Sequence, residues 1–239
     1  MVNAFSTFAA AALAALAVAA PLEPRAGCAS GVYMIVARGT GEAVGQGKAG
    51  SVAALVAARV PGSASVAVDY PASALKRDLQ ALQDRALYPA SVAAGINDTK
   101  KKIQDYVAQC GDASKIALIG FSQGGNVMTD LLAGGVLKPA PLDPKYYKNI
   151  VAVTVFGDPT FAPNQSYNYG SNANGNGGIF TRRNNAAELA KLNALSSKLA
   201  SYCDTGDLFC ADGLSTAVHS NEVAAHRQEA TDFIVARAQ

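Results

Sequence analysis

VYMIVA (32–37) is a continuous apolar run, and ASVAVDY (64–70), KIALIG (115–120) and NIVAVTVFG (149–157) repeat the pattern with few polar residues. Short β-branched runs of this kind are expected of strands buried on both faces. KLASYC (198–203) repeats the pattern more weakly. Between these runs the apolar spacing changes to three and four. Val92, Ile96, Thr99, Ile103, Tyr106 and Val107 fall on one face of a helix predicted over 91–109, and Cys110 continues the stripe. The stretch 73–91 predicts a further amphipathic helix, with Leu75, Leu79, Leu82 and Leu87 roughly on one side, and a C-terminal helix is expected over 222–237. Strand and helix in alternation predict an α/β fold, a parallel sheet with helices on both sides, whose ligands bind at the carboxyl ends of the strands. The segment 164–178, NQSYNYGSNANGNGG, is too polar and Gly-rich to bury a face and reads as a mobile surface loop.

Composition narrows the setting. A chain of 239 residues, half of them apolar, can bury a full single core, and no Pro/Ser-rich or charged linker divides it. The formal charge is +2. Lys100, Lys101 and Lys102 share their helix with Asp98 and Asp105, which makes a solvated face and argues against nucleic-acid binding. Residues 1–20 are apolar, Ala-rich and uncharged and end in small residues, the pattern of a secretory signal that lacks only the basic start. The run is shorter than the roughly 20 apolar residues a membrane span needs, so stable membrane association is not expected. Residues 21–27 read as a short pro-segment and 28–239 as one domain, secreted, extracellular and monomeric.

Four cysteines in a secreted chain suggest two disulfides. Of the three pairings, Cys203–Cys210 closes a short local loop and Cys28–Cys110 ties the mature N-terminus to a helix end, and these two are expected. With no close Cys pair and only two histidines, no metal site is expected. Asn97 and Asn164 begin glycosylation patterns.

The chemistry centres on KIALIGFSQGGNVM. Gly120-Phe121-Ser122-Gln123-Gly124 is a G-x-S-x-G pentapeptide with a strand before it and a helix-compatible run after it. Such a turn exposes one hydroxyl at the sheet edge, with helix amides close to any negative charge that develops. A serine needs a base to become a nucleophile. His226 lies on the inner stripe of the C-terminal helix, between Val223 and Ala230, and reads as a packing residue. His219 lies just before that helix, where a loop residue can reach a strand end, and is the favoured base. For the acid, CDTGDLFC holds Asp204 and Asp207 inside the expected Cys203–Cys210 loop, with Asp212 outside it. The order Ser122, Asp207, His219 is that of sheet-based hydrolases.

The motifs ARGTGE (37–42), GFSQGG (120–125), FGDP (156–159), YCDTGDLFC (202–210) and AVH (217–219) resemble those of the secreted fungal cutinases and acetylxylan esterases, from about Cys28 to the C-terminus. The resemblance implies a three-layer α/β/α sandwich around a five-stranded parallel sheet. It implies Ser122 as nucleophile, Asp207 rather than Asp204 as acid, His219 as base, and the same two disulfides. It further implies an oxyanion hole made by Gln123 and Thr40, and no cofactor. The expected substrate is a plant cell-wall polymer ester. FGDPTF with its Asn/Gly-rich loop, the Gly-Gly after Ser-Gln, and Ser220 and Asn221 beside the base lean to acetylated xylan. The low cysteine count pulls back from the acetylxylan branch, and the insertion 73–91, longer than the resemblance implies for either branch, either packs on the body or rims the site. A lipase, with 73–91 as a lid, and a non-catalytic wall-binding or signalling protein on the same scaffold are the remaining readings.

Overall fold

The computed structural model describes residues 27–73, 81–135 and 137–239, and for 81–86 the backbone alone. The signal segment and nearly all of the pro-segment lie outside these residues.

The five apolar runs all form strands: β1 (Tyr33–Ala37), β2 (Ala64–Ala67), β3 (Ile116–Phe121), β4 (Ile150–Phe156) and β6 (Leu199–Tyr202). A sixth strand corrects the expected count of five. It is β5, Asn168–Tyr169, and the sheet runs β2-β1-β3-β4-β6-β5 with every pair parallel. β5 comes from the segment read as a mobile loop, in which Tyr167 and Asn172 are buried. Side-chain amides order it: Asn168 donates to the Ala162 and Ala173 carbonyls, and Asn172 to the Asn176 carbonyl.

The helices are α1 (Gly50–Arg59), α2 (Ala81–Cys110), α3 (Gln123–Ala133), α4 (Ala186–Asn193) and α5 (Thr216–Ala238). Successive residues of a strand face opposite sides, and the core divides accordingly. Ile35, Leu118, Val153 and Val155 pack with Val92, Ile96 and Ile103 of α2 and with Val127, Met128 and Leu131 of α3. Met34, Val36, Ile119 and Phe156 pack on the other side with Val52 and Val56 of α1 and with Val223, Ala230 and Ile234 of α5. A register shift between Ile116 and Ala117 of β3 skips Val151 of β4 and restores this alternation.

Two helix boundaries differ from the expectation. α2 runs unbroken from Ala81 through Pro89 to Cys110, so 91–109 and the end of the 73–91 insertion are one element. The expected stripe of 91–109 is buried throughout. Leu75, Leu79 and Leu82 fall outside the described side chains, whereas Leu87 is half-exposed and its neighbour Tyr88 is buried. On the outer face, Lys102 pairs with Asp98 at 2.6 Å and Lys101 with Asp105, a solvated i,i+4 ladder. α5 begins six residues before the expected 222, because the Ser215 hydroxyl caps it by accepting the Val218 amide at 3.1 Å. No helix among the described residues is long and apolar enough to cross a membrane.

Two disulfides close loops of very different length. Cys28–Cys110 spans 82 residues and Cys203–Cys210 spans 7. If disulfides act mainly on unfolded-chain entropy, replacing the long-range pair by serines costs about 4.5 kcal/mol and replacing the short one about 2.5 kcal/mol. Urea unfolding of the two double variants checks this; equal losses would contradict it.

Candidate active site

β1 and β3 are neighbours, but the chain leaves β1 toward β2 on one side and returns through α2 to β3 on the other. That reversal opens a crevice at the strands' carboxyl ends. Thr40 follows β1 there and Ser122 follows β3. Ser122 sits at φ 54°, ψ −118°, a strained conformation for a residue with a side chain, held by its amide donating to the Phe156 carbonyl at 2.8 Å. Gly124 makes the turn compatible with the neighbouring strand: a Cβ there would lie 2.2 Å from the Ala37 carbonyl oxygen. Every residue of α3, which leads away from Ser122, is buried.

His219 is in the first turn of α5, not in the loop before it. Its Nε2 lies 2.8 Å from Ser122 Oγ and its Nδ1 2.8 Å from Asp207 Oδ2. The Phe121 and Phe209 rings flank the imidazole, with centroids 5.0 and 4.5 Å away. Asp207 is fully buried. Burial pushes its carboxyl up, but hydrogen bonding and charge attraction to His219, with the Cys210 and Phe209 amides, outweigh burial and hold it below the usual range. Those amides donate to Oδ1 at 3.0 and 2.6 Å. The Asp207 carbonyl accepts the Gly213 amide, and Ser215 donates to the Gly206 carbonyl, so the acid sits in a loop tied at both ends.

The other candidates go elsewhere. Asp204 accepts the Ser171 amide and hydroxyl through Oδ1 and faces His226 Nε2 at 2.9 Å through Oδ2; it fastens the β5 region. His226 also stacks on Tyr202 at 5.0 Å. Asp212 is exposed. Asn97 and Asn164 are both exposed. Metal-type donors come together in Asp204, Glu222 and His226, within 4.8 Å of one another, and two of the three are already bonded to each other.

Around the triad the structure adds residues that the hydrophobic pattern could not flag. Buried Arg38 donates to the Tyr70 carbonyl at 2.7 Å and the Glu42 carbonyl at 3.1 Å. The Glu42 carboxylate accepts the Gly39 and Lys48 amides, so ARGTGE is a self-bracing loop that presents Thr40. The Gln123 side chain donates to Thr40 Oγ1 at 3.3 Å and to the Ser73 carbonyl at 2.8 Å, and accepts from Ser91. Ser122 and His219 open into a cavity of about 350 Å³ lined also by Thr40, Lys48, Tyr88, Ile179, Phe180, Phe209 and Ser220. Tyr88 and Phe180, with ring centroids 5.5 Å apart, also line a neighbouring cavity of about 480 Å³ that reaches Asp130, Lys138 and Arg182. The two rings form the partition between the cavities.

The model of the Cutinase family matches residues 28–238. The chain belongs to the cutinase family. Acetylxylan esterase 2 of Talaromyces purpureogenus is 30% identical to this cutinase-family chain over 237 residues, 95% of the chain and 96% of the relative. Cutinase 11 of Verticillium dahliae is 29% identical over 228 residues, 92% and 72% of the two. A solved acetylxylan esterase structure superposes with a TM-score of 0.74 at 27% identity, covering 89% of this chain and all of that one. The protein is therefore a cutinase-family carboxylic ester hydrolase with a cutinase-like α/β hydrolase fold.

Gly157, at φ +59° after β4, packs directly beneath the His219 imidazole. A Cβ there would lie 2.8 Å from His219 Nδ1 and Cε1 and 3.4 Å from Asp207 Oδ2. Gly157→Ala should therefore lower kcat for ester hydrolysis by about 100-fold, the order expected of an ångström-scale displacement. Steady-state kinetics on a soluble ester checks it; an unchanged kcat would show that the imidazole is not held from below.

Proposed function

We propose that the protein is a secreted serine esterase of plant cell-wall polymers that removes acetyl groups from xylan, with Ser122, His219 and Asp207 as its triad. The observation that carries the chemistry is the unbroken contact from Ser122 Oγ through His219 to Asp207, 2.8 Å at each step, opening into the cavity. His219 takes the Ser122 proton as Oγ attacks the ester carbonyl. The carbonyl electron pair moves onto oxygen, facing the Gln123 amide and the amide and hydroxyl of Thr40. Because Thr40 Oγ1 already accepts from Gln123, its own hydrogen is free to point at the oxyanion, and each such donor is worth about 100- to 1000-fold in rate. Collapse expels the alcohol oxygen, which takes the proton from His219. Water, deprotonated by His219, then releases the acid and restores the serine. The chemistry asks for no cofactor or metal.

The aromatic partition supports a small acyl group: Tyr88 and Phe180 end the catalytic cavity where a longer chain would continue into the space behind. Residues 1–20 act as the secretory signal and 21–27 as a short pro-segment, with 28–239 as a monomeric enzyme domain carrying glycans at Asn97 and Asn164. The two disulfides suit an oxidising, extracellular setting. One observation favours a second reading, cutin hydrolysis: Ile179 and Phe180, which line the cavity, are 39% and 44% exposed, as a surface meeting an apolar polymer would be.

Ser122→Ala should abolish ester hydrolysis with unchanged folding, and full activity in that variant would overturn the triad. On p-nitrophenyl esters from acetyl to octanoyl, the rate should fall steeply after acetyl; a maximum at butyryl or longer would establish the cutinase reading instead. Phe180→Ala joins the two cavities and should raise the octanoyl-to-acetyl rate ratio by about tenfold, the scale of a methylene or two of discrimination. An unchanged ratio would show that the partition does not set acyl length.

A further inference from the structure

Behind the acid of the triad lies a second carboxyl group. Glu222, three residues after His219 on α5, is 0% exposed. Its Oε1 accepts the Asp204 amide at 2.8 Å and lies 3.7 Å from Cys210 Sγ. Its Oε2 is buried with no hydrogen-bond partner. Cys210, whose Sγ lies beside Oε1, donates its amide to Asp207, so the two carboxyl groups share one buried region, and the Asp207 charge raises the Glu222 carboxyl. An ionised carboxylate can only accept hydrogen bonds. Two ionised carboxylates meeting in a buried site would repel and leave lone pairs unsatisfied. Among the described residues the ion pairs in this region are His219 with Asp207 and His226 with Asp204; His226 comes within 4.8 Å of Glu222 but spends its Nε2 on Asp204, and no ion pair is made to Glu222 itself.

A proton on Oε2 resolves the conflict, because it turns the orphaned acceptor into a donor. The proton belongs on Glu222 and not on Asp207, since Asp207 receives two amides and the imidazole while Glu222 receives one amide. Donors stabilise the charged form. We infer that Glu222 is protonated at neutral pH and donates from Oε2 to the Asp207 carboxylate, making it a positioning residue that extends the chain Ser122–His219–Asp207 by one member. Burial pushes its carboxyl up to about 9; the Asp204 amide opposes this, and the charges of Asp207 and Asp204 reinforce it. The titratable groups facing the site are Asp207 and Asp204 from the acid loop and His219 and His226 from α5, with Glu229 bonded to His226 beyond them.

The catalytic consequence rests on the serine-triad reading, whereas the protonation itself does not. Above pH 9 the donor is lost and a second negative charge sits beside Asp207, so the orientation of the acid weakens. Glu222→Gln retains both bonds at every pH: its amide oxygen accepts the Asp204 amide and its NH2 group donates to Asp207. Glu222→Leu removes both. At pH 7, Glu222→Gln should keep kcat within about twofold of wild type, and Glu222→Leu should lose about ten- to 100-fold in kcat with KM nearly unchanged. The wild-type rate should decline through pH 9, and that limb should be absent in Glu222→Gln.

Stability should follow the same proton. The native state holds it from about 4.5, the ordinary value, to about 9, while the unfolded chain has released it. The wild type therefore loses stability as pH rises across that window, and Glu222→Gln should melt higher than wild type at pH 8. The direct measurement is a carbon-13 NMR titration of labelled glutamate carboxyls in wild type, with the resonance assigned by its loss in Glu222→Gln. A midpoint near 9 is expected; a midpoint in the ordinary carboxylate range overturns the inference, as does a Glu222→Gln kcat as low as that of Glu222→Leu. If Glu222→Leu fails to fold, the pH profile and titration of the other two proteins decide. A wild type inactive on every ester would overturn the triad reading, and the NMR midpoint would still decide the protonation.

Discussion

The close approach of α3 to β1 is the constraint on which the rest of the site depends. The helix begins directly after Ser122, and its first turn presses against the carbonyl end of the neighbouring strand. Only a residue without a side chain fits at Gly124, 2.2 Å from the Ala37 carbonyl by its notional Cβ. That approach brings the amide of Gln123 and the loop carrying Thr40 to the same side of Ser122. Ser122, at the start of this helix, holds a positive-φ conformation. A conformation costing on the order of 1–3 kcal/mol persists because α3 is buried along its whole length and cannot relax outward.

Burial sets the electrostatics as well. Asp207 stays ionised in a solvent-free position because three donors converge on it, two of them amides of its own loop. The short Cys203–Cys210 bridge closes that loop, and Cys203, Cys210, Ala211 and Phe161 form a small apolar cluster beneath it. The bridge thus stands between the fold and the chemistry: its contribution to global stability is modest, but it limits the ways in which the acid's amides can turn away.

Much of this was legible in the sequence, and the failures share a cause. The five strands, of which β2 proves a largely exposed edge, the α2 stripe and the place of Ser122 follow from apolar runs and the pentapeptide; chain order allowed more than one acid, and the family resemblance chose Asp207 over Asp204. β5 did not follow, because polarity and glycine content imply solvation only when side-chain amides bond to water; here Asn168 and Asn172 bond to backbone. The early start of α5 was signalled by Ser215, an N-cap residue ahead of an apolar helix turn, but the glycine at 213 made the region read as loop. The stretches 73–91 and 91–109 read as two helices, yet α2 runs through Pro89 and joins them. Glu222 was beyond reach: a charged residue on a helix is ordinarily solvated, and only three-dimensional burial shows that this one is not.

The chain between β4 and α4 offers a way to vary the cavity wall without moving the residue beneath His219. The chain after β4 begins at Gly157 beneath the imidazole, continues through Asp158, and later supplies Ile179 and Phe180 to the cavity wall. It is fastened on the side away from the triad. Arg182, itself buried, donates to Asp130 at 3.1 Å and to Thr129 at 2.9 Å, both on α3. Thr129 in turn donates to Asp158 at 2.7 Å. Burial pushes the Asp130 carboxyl up to about 6, with Arg182 and Lys138 pulling it back, so at neutral pH the Arg182–Asp130 pair remains charged. A wall anchored by this buried pair can change its side chains at 179 and 180 while Gly157 keeps its place under His219. Gly157 beneath His219 and the wall residues 179 and 180 are thereby held by separate sets of bonds.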